Sequence, residues 1–188
     1  VEGMLLGLAI GDSLGNTTEG MLPHERCGRR GEVRAYLPNR YADDRPVGVP
    51  SDDTQLAFWT LEQVLADGRL DPDRLAQRFA RGQIFGIGGT VREFLANYKE
   101  RAMPWYKSGP DSAGNGALMR IAPVLVPHVR KPSTLLWADT ALCAMLTHNS
   151  AASIGSCVSL VKLLWDVLQM NGPPLASWWA ETFYSTME

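Results

Sequence analysis

"SIGSCVSLVKLLWDVL", residues 153–168, repeats its apolar side chains at steps of three and four: Ile154, Cys157, Val158, Val161, Leu164, Trp165 and Leu168. That period lays them along one face of an α-helix, and "NGPP" at 171–174 ends it. Weaker versions of the pattern predict helices over Met4–Leu14, Thr54–Leu65, Pro72–Arg81, Thr90–Glu100, Ala117–Val126 and Ser133–Thr147. No run of alternating strand residues interrupts them, so the expected fold is all-α, a compact multi-helix bundle. Between the helices lie residues 16–50, "NTTEGMLPHERCGRRGEVRAYLPNRYADDRPVGVP", and 103–116, "MPWYKSGPDSAGNG". Their Gly and Pro content marks loops, and loops this long in a helical protein usually carry function.

The 188 residues, 45% of them hydrophobic, suffice for one core, and no repeat or boundary divides them. A formal net charge of −2 argues against a general nucleic-acid or anionic-membrane binder. Cys27, Cys143 and Cys157 are odd in number and lack metal-ligand spacing, which suits free thiols in a reducing compartment, with the cytoplasm as the default. "GMLLGLAIG", residues 3–11, is too short to span a bilayer, and no targeting segment is read.

Four polar stretches carry candidate chemistry. In "GVPSDDTQLAFW", residues 48–59, Ser51, Asp52 and Asp53 stand where a helix begins. Two readings compete there: an N-cap serine followed by acids that suit the helix's positive end, or hard oxygen ligands for a divalent cation. "GLAIGDSLGNTTEG", residues 7–20, puts Asp12 at the end of an apolar helix and Glu19 in the loop after it. "SGPDSAGNGALMRIAP", residues 108–123, is a glycine-rich loop leading into an expected helix, a place where free backbone N–H groups and a helix dipole can hold an anion. "LTHNSAASIG", residues 146–155, sets His148 between two helices. Singly, each has a plain alternative: a solvated acid, strain-relieving glycines, a satisfied structural histidine.

In this order, "GDSLGNTTE", "SDDTQL", "GIGGTVREFL", "AGNGALMRIAPV" and "THNSAASI" resemble the ADP-ribosylglycohydrolase family, which includes the dinitrogenase reductase-activating glycohydrolases. The resemblance implies an all-α orthogonal bundle with a pair of divalent ions, Mg²⁺ or Mn²⁺, in a cleft for ADP-ribose. It implies hydrolysis of the bond between the distal ribose C1″ and a modified protein or small acceptor. Carried over by position, Ser51, Asp52 and Asp53 become metal ligands, and Glu19 an acid over the metals, with Glu19 and Asp53 catalytic. Gly88, Ser112, Gly114, Asn115, Gly116, Met119, His148 and Asn149 become substrate-binding residues. Met119 and Arg120 can equally serve packing, and Trp105 and Tyr106 are candidates to stack on adenine by aromatic character alone.

One departure stands out: the family's second acidic motif, Asp-x-Asp-Thr, is not found, and after Trp165 the only acids are Asp166, Glu181 and Glu188. The chain is therefore expected to be a single partial domain over residues 1–188, roughly the N-terminal two-thirds, C-terminally truncated and with an incomplete metal site. Exposed apolar faces and self-association are expected with it. Two functions remain open: a metal-dependent ADP-ribosyl hydrolase, or a catalytically silent module that binds ADP-ribose or a protein partner.

Overall fold

Ser51 and Gly68 bracket the helix on which the rest is built. A computed structural model describes the chain from Val1 to Met187, the side chain of Met187 apart; Glu188 lies outside the described residues. Helix α3, Asp52–Asp67, starts where Ser51 Oγ accepts from Asp53 N at 3.3 Å. It stops at Gly68, whose φ of 67° turns the chain out of the helix. Leu56, Trp59 and Val64 on its inner face join Leu75 and Phe79 of α4, Pro72–Arg81, in the core. Asp71 caps α4 by accepting from Arg74 N, and Pro72 stands at its first turn, so its bounds are those expected.

Helix α1, Glu2–Gly15, crosses α3 near its start. Helix α5, Gly89–Leu95, runs into a π turn at Ala96–Glu100. The paired helices α8, Leu135–Met145, and α9, Ala151–Val167, pack Leu136, Cys143 and Ala144 against Cys157 and Val161. Ser150 caps α9 by accepting from Ser153 N at 3.2 Å. Helix α10, Ala176–Met187, built from the aromatic-rich end of the chain, packs on α9. There is no strand among the described residues, only an isolated bridge between Asn39 and Arg45.

Three expectations need correction. Residues 117–126 do not form one α-helix; they form 3₁₀ turns at Leu118–Arg120 and Ala122–Leu125, and then the short α7, Val126–Val129. Pro123 and Pro127 lack the N–H that a continuous α-helical ladder requires. The long loop at 16–50 contains α2, Pro23–Arg30, whose start is fixed by Pro23 and by Glu25 accepting from Leu22 N at 3.0 Å. The loop at 103–116 likewise contains one helical turn, α6, at Trp105–Ser108.

Candidate active site

The buried side of the site begins with Asp12. Its Oδ2 accepts from Ser51 N at 2.7 Å, from Thr54 N at 3.2 Å and from Thr54 Oγ1 at 2.6 Å. Its Oδ1 accepts from Ser51 Oγ at 2.8 Å and from Asn16 Nδ2 at 3.2 Å. A carboxylate from α1 thus satisfies the first N–H groups of α3, a task that a side chain of α3 itself would otherwise perform. Burial works to raise the Asp12 pKa, but the hydrogen bonds from Thr54, Ser51 and Asn16 prevail and hold it below the usual carboxylate value.

With Asp12 and Ser51 committed to the helix start, Asp52 and Asp53 are released toward a cavity. Its volume is about 270 Å³, and its walls include Glu19, Asp52, Asp53, Asn115, Met119 and His148. Five glycines, Gly86, Gly88, Gly89, Gly114 and Gly116, also line the cavity and present backbone alone. Gly86 takes φ of 69°, and a Cβ there would lie 3.1 Å from Asp52 Oδ1. A side chain at 86 would strain the turn and crowd the carboxylate.

The opposite wall is a pinned loop. Thr90 Oγ1 and Ser112 Oγ lie 3.1 Å apart, and Ser112 Oγ accepts from Gly114 N at 3.3 Å. Ser150 Oγ donates to Ser112 O at 3.0 Å, Ser153 Oγ to Gly114 O at 3.4 Å, and Asn149 N to Pro110 O at 2.8 Å. The imidazole of His148 packs flat against the loop: a Cβ on Gly116 would come within 2.7 Å of its Cε1. The N–H groups of Asn115 and Gly116 make no hydrogen bond among the described residues and stay available to an anion. The loop leads into a 3₁₀ turn, so these amides, rather than a long helix dipole, would hold the anion.

Glu19, Asp52, Asp53, Gly88, Gly114, Asn115, Gly116, Met119 and His148 therefore meet around one cavity. Ser51, Ser112 and Asn149 do not line it; they fix the helix start and the loop. Trp105 and Tyr106 stack edge to face on each other, with Trp105 against the core, and neither lines the cavity. Sequence reasoning missed Asp12 as the organising residue. Its signal is the Asp with Ser-x-x-Thr about forty residues further on, which only a tertiary contact joins.

Crowded carboxylates show in their acidity. Burial, then repulsion from Asp53, Glu19 and Asp12, pushes Asp52 up to about 6. Asp53 is raised by burial and by Asp12 and Glu19. A patch of negative oxygens that repel one another fits a hard divalent cation in donor chemistry. Among the described residues, however, no three His, Cys, Asp or Glu side chains converge closely enough to hold a metal ion by themselves.

A second, apolar groove of about 380 Å³ adjoins the cavity through Asn115 and Met119 and is lined by Met4, Leu8, Leu118, Ala122, Leu160 and Leu164. Leu6 and Ile10 of α1 are also exposed. No helix among the described residues is long and apolar enough to cross a membrane.

An all-α scaffold here sets an acidic cluster and a glycine-rich loop around one cavity, the layout of a small-molecule cleft. The chain belongs to the ADP-ribosylglycohydrolase family, whose model matches residues 1–186. It is 32% identical over 174 residues to the ADP-ribosylarginine hydrolase Tri1 of Serratia proteamaculans, covering 87% of this chain and 46% of that protein. It is 28% identical over 174 residues to the ADP-ribosyl-[dinitrogen reductase] glycohydrolase of Rhodospirillum rubrum, covering 90% of this chain and 58% of the relative. A solved ADP-ribosylglycohydrolase-related protein complex superposes with a TM-score of 0.74 at 30% identity, over 90% of this chain and 56% of that one. The chain spans about half the length of the curated relatives it matches.

Proposed function

We propose that this chain carries the ADP-ribose cleft and the first acidic cluster of an ADP-ribosyl glycohydrolase that releases ADP-ribose from a modified protein or small acceptor. One observation supports the reading above the others: a single cavity joins Glu19, Asp52 and Asp53 to the Gly114–Gly116 loop and His148. The free amides of Asn115 and Gly116 would receive the diphosphate, and the glycines that line the cavity would let the distal ribose approach the carboxylates.

Asp52, Asp53 and Glu19, which line the cavity, would hold a divalent cation, Mg²⁺ or Mn²⁺. Such an ion, when bound, supplies polarisation of ribose and water oxygens. Hydrolysis forms a bond from water oxygen to C1″ while the bond from C1″ to the acceptor breaks, its electron pair leaving with the acceptor. Glu19 is exposed and lines the same cavity, where it would take the proton of the attacking water. The half-buried Asp53 would orient that water. The similarity to an ADP-ribosylarginine hydrolase and to an ADP-ribosyl-[dinitrogen reductase] glycohydrolase supports a protein-linked ADP-ribose as the substrate class.

A second reading is favoured by one fact, the lack of a three-ligand cluster among the described residues. In it the chain by itself binds ADP-ribose without cleaving it. One experiment separates the two. An arginine-ADP-ribosylated protein is incubated with the chain and Mn²⁺, with and without chelator, and free ADP-ribose is measured beside its binding. Release that chelation stops, and that Asp52→Asn with Asp53→Asn removes, supports the hydrolase. Binding without release supports the second reading, and neither binding nor release contradicts both.

A further inference from the structure

Arg120 is fully buried, yet none of the ion pairs among the described residues includes it. Its guanidinium donates from Nη1 to Cys143 Sγ at 3.1 Å, and from Nη2 to Cys143 O at 2.9 Å and Thr147 Oγ1 at 2.7 Å. It lies over the Phe79 ring at 5.1 Å, and its Nε is buried with no partner. Nor does a thiolate balance it: burial raises the Cys143 pKa despite the neighbouring cation, so the sulfur stays protonated. A buried charge with neutral partners costs several kcal/mol that an apolar side chain of the same volume would not. Packing alone does not explain it.

Its hydrogen bonds lead to the cavity. Thr147 Oγ1 receives the Arg120 N–H and lies 3.0 Å from His148 Nδ1. A hydroxyl has one proton to give, and arginine can only donate. Among the described residues the Thr147 proton has one acceptor, His148 Nδ1. Were Nδ1 protonated instead, two donors would point at one hydroxyl and its own proton would have no acceptor in a buried setting. Nδ1 is therefore the acceptor, and the ring proton sits on Nε2. That nitrogen makes no hydrogen bond to the described residues and lies beside Gly114 and Gly116 at the cavity wall.

We propose that Arg120 is a positioning residue: through the Thr147 hydroxyl it holds the His148 ring as the Nε2–H tautomer, so that the imidazole presents one N–H donor to an oxygen of the bound ligand. The role of that donor rests on the ADP-ribose reading above; the tautomer does not. Burial and the Arg120 charge also push the His148 pKa down to about 4, which keeps the ring neutral at physiological pH.

The test is ¹⁵N NMR of the imidazole nitrogens in the ligand-free chain at neutral pH, where only His24, His128 and His148 need assignment. Wild type should show a pyrrole-like Nε2 and a hydrogen-bonded, pyridine-like Nδ1 for His148. In Thr147→Val the Nδ1 signal should move toward its non-bonded position and the Nδ1–H form should grow; Thr147→Ser should restore the wild-type pattern. Arg120→Met should move Nδ1 as Thr147→Val does. ADP-ribose should bind Thr147→Val roughly tenfold more weakly and Thr147→Ser like wild type, the scale of one misdirected hydrogen bond. A pyrrole-like Nδ1 in wild type, or His148 shifts identical in Thr147→Val, overturns the proposal. His148 shifts in Arg120→Met identical to wild type overturn the role of Arg120; if that variant fails to fold, Arg120→Lys, which keeps a donor but not the two-pronged contact, takes its place and should move Nδ1 part of the way. Failure of wild type to bind ADP-ribose refutes the ligand reading, and the tautomer still decides this one.

Discussion

Replacing Asp12 by Asn changes one oxygen to an amide and removes a charge that five donors share. An amide keeps a single acceptor oxygen. The least damaging orientation keeps it at Oδ2, facing Ser51 N, Thr54 N and Thr54 Oγ1. The new NH₂ then faces Ser51 Oγ and Asn16 Nδ2, neither of which can donate to it. Asn16 retains its bond to Val49 O at 2.6 Å, and Ser51 Oγ can turn, so part of the loss is recovered. Hydrogen bonds to a charged group contribute about 1.5–3 kcal/mol each, so two lost and three weakened give a destabilisation of about 2–4 kcal/mol after relaxation. Because the damage sits at the start of α3, it also loosens Asp52 and Asp53. Urea unfolding gives the magnitude, and amide exchange at Ser51 and Thr54 gives the location. A loss under about 0.5 kcal/mol with both amides as protected as in wild type would refute the clamp.

The remaining predictions concern pH, the loop and the loop acid. Asp52, raised to about 6, contributes stability that is full below its unfolded value and lost as pH rises through 6; Asp12, lowered, contributes stability present above its unfolded value and lost as pH falls. His148, lowered to about 4, contributes stability that grows as pH rises toward its unfolded value of ~6.5 and so opposes the Asp52 loss; Asp52→Asn should therefore make stability rise more steeply than wild type between pH ~4 and ~6, which denaturation curves across that range check. Gly116→Val drives methyls into the His148 ring, which a Cβ alone would approach to 2.7 Å, so ADP-ribose should raise the melting temperature of wild type and not of the variant. In a chain that releases ADP-ribose, Glu19→Gln should lower kcat far more than it weakens ADP-ribose binding, since the proposed mechanism gives Glu19 the proton of the water and the Gly114–Gly116 loop the diphosphate; equal losses in both would assign it to binding alone.

The legible parts of the fold were those set by local signals. The apolar stripe of α9 and the Asp71-Pro72 start of α4 follow from spacing and capping chemistry. The stretch at 117–126 misled because its apolar residues are buried on all sides, so they repeat as a helix would while Pro123 and Pro127 break the ladder. At Ser51 the capping reading holds, the serine accepting from Asp53 N, while the two aspartates that follow line the cavity, a placement that depends on tertiary contacts and not on the local sequence. Ser112 and Asn149 stand at motif positions, yet Ser112 Oγ is taken up by Thr90 and Gly114 N, and Asn149 is tied by its backbone N–H to Pro110 O, distinctions that sequence spacing does not hold. Asp12 and the Arg120–Thr147–His148 chain depend on residues far apart in sequence, so no local pattern could reveal them.

The most direct test of the central claim, that the acidic cluster and the glycine loop form one ligand site, is a calorimetric titration of ADP-ribose into the chain with and without Mn²⁺. The account predicts one-to-one binding that Mn²⁺ tightens, a Mn²⁺ effect lost in Asp52→Asn with Asp53→Asn, and binding itself lost in Gly116→Val. No binding by wild type, or binding that neither set of substitutions alters, would contradict it.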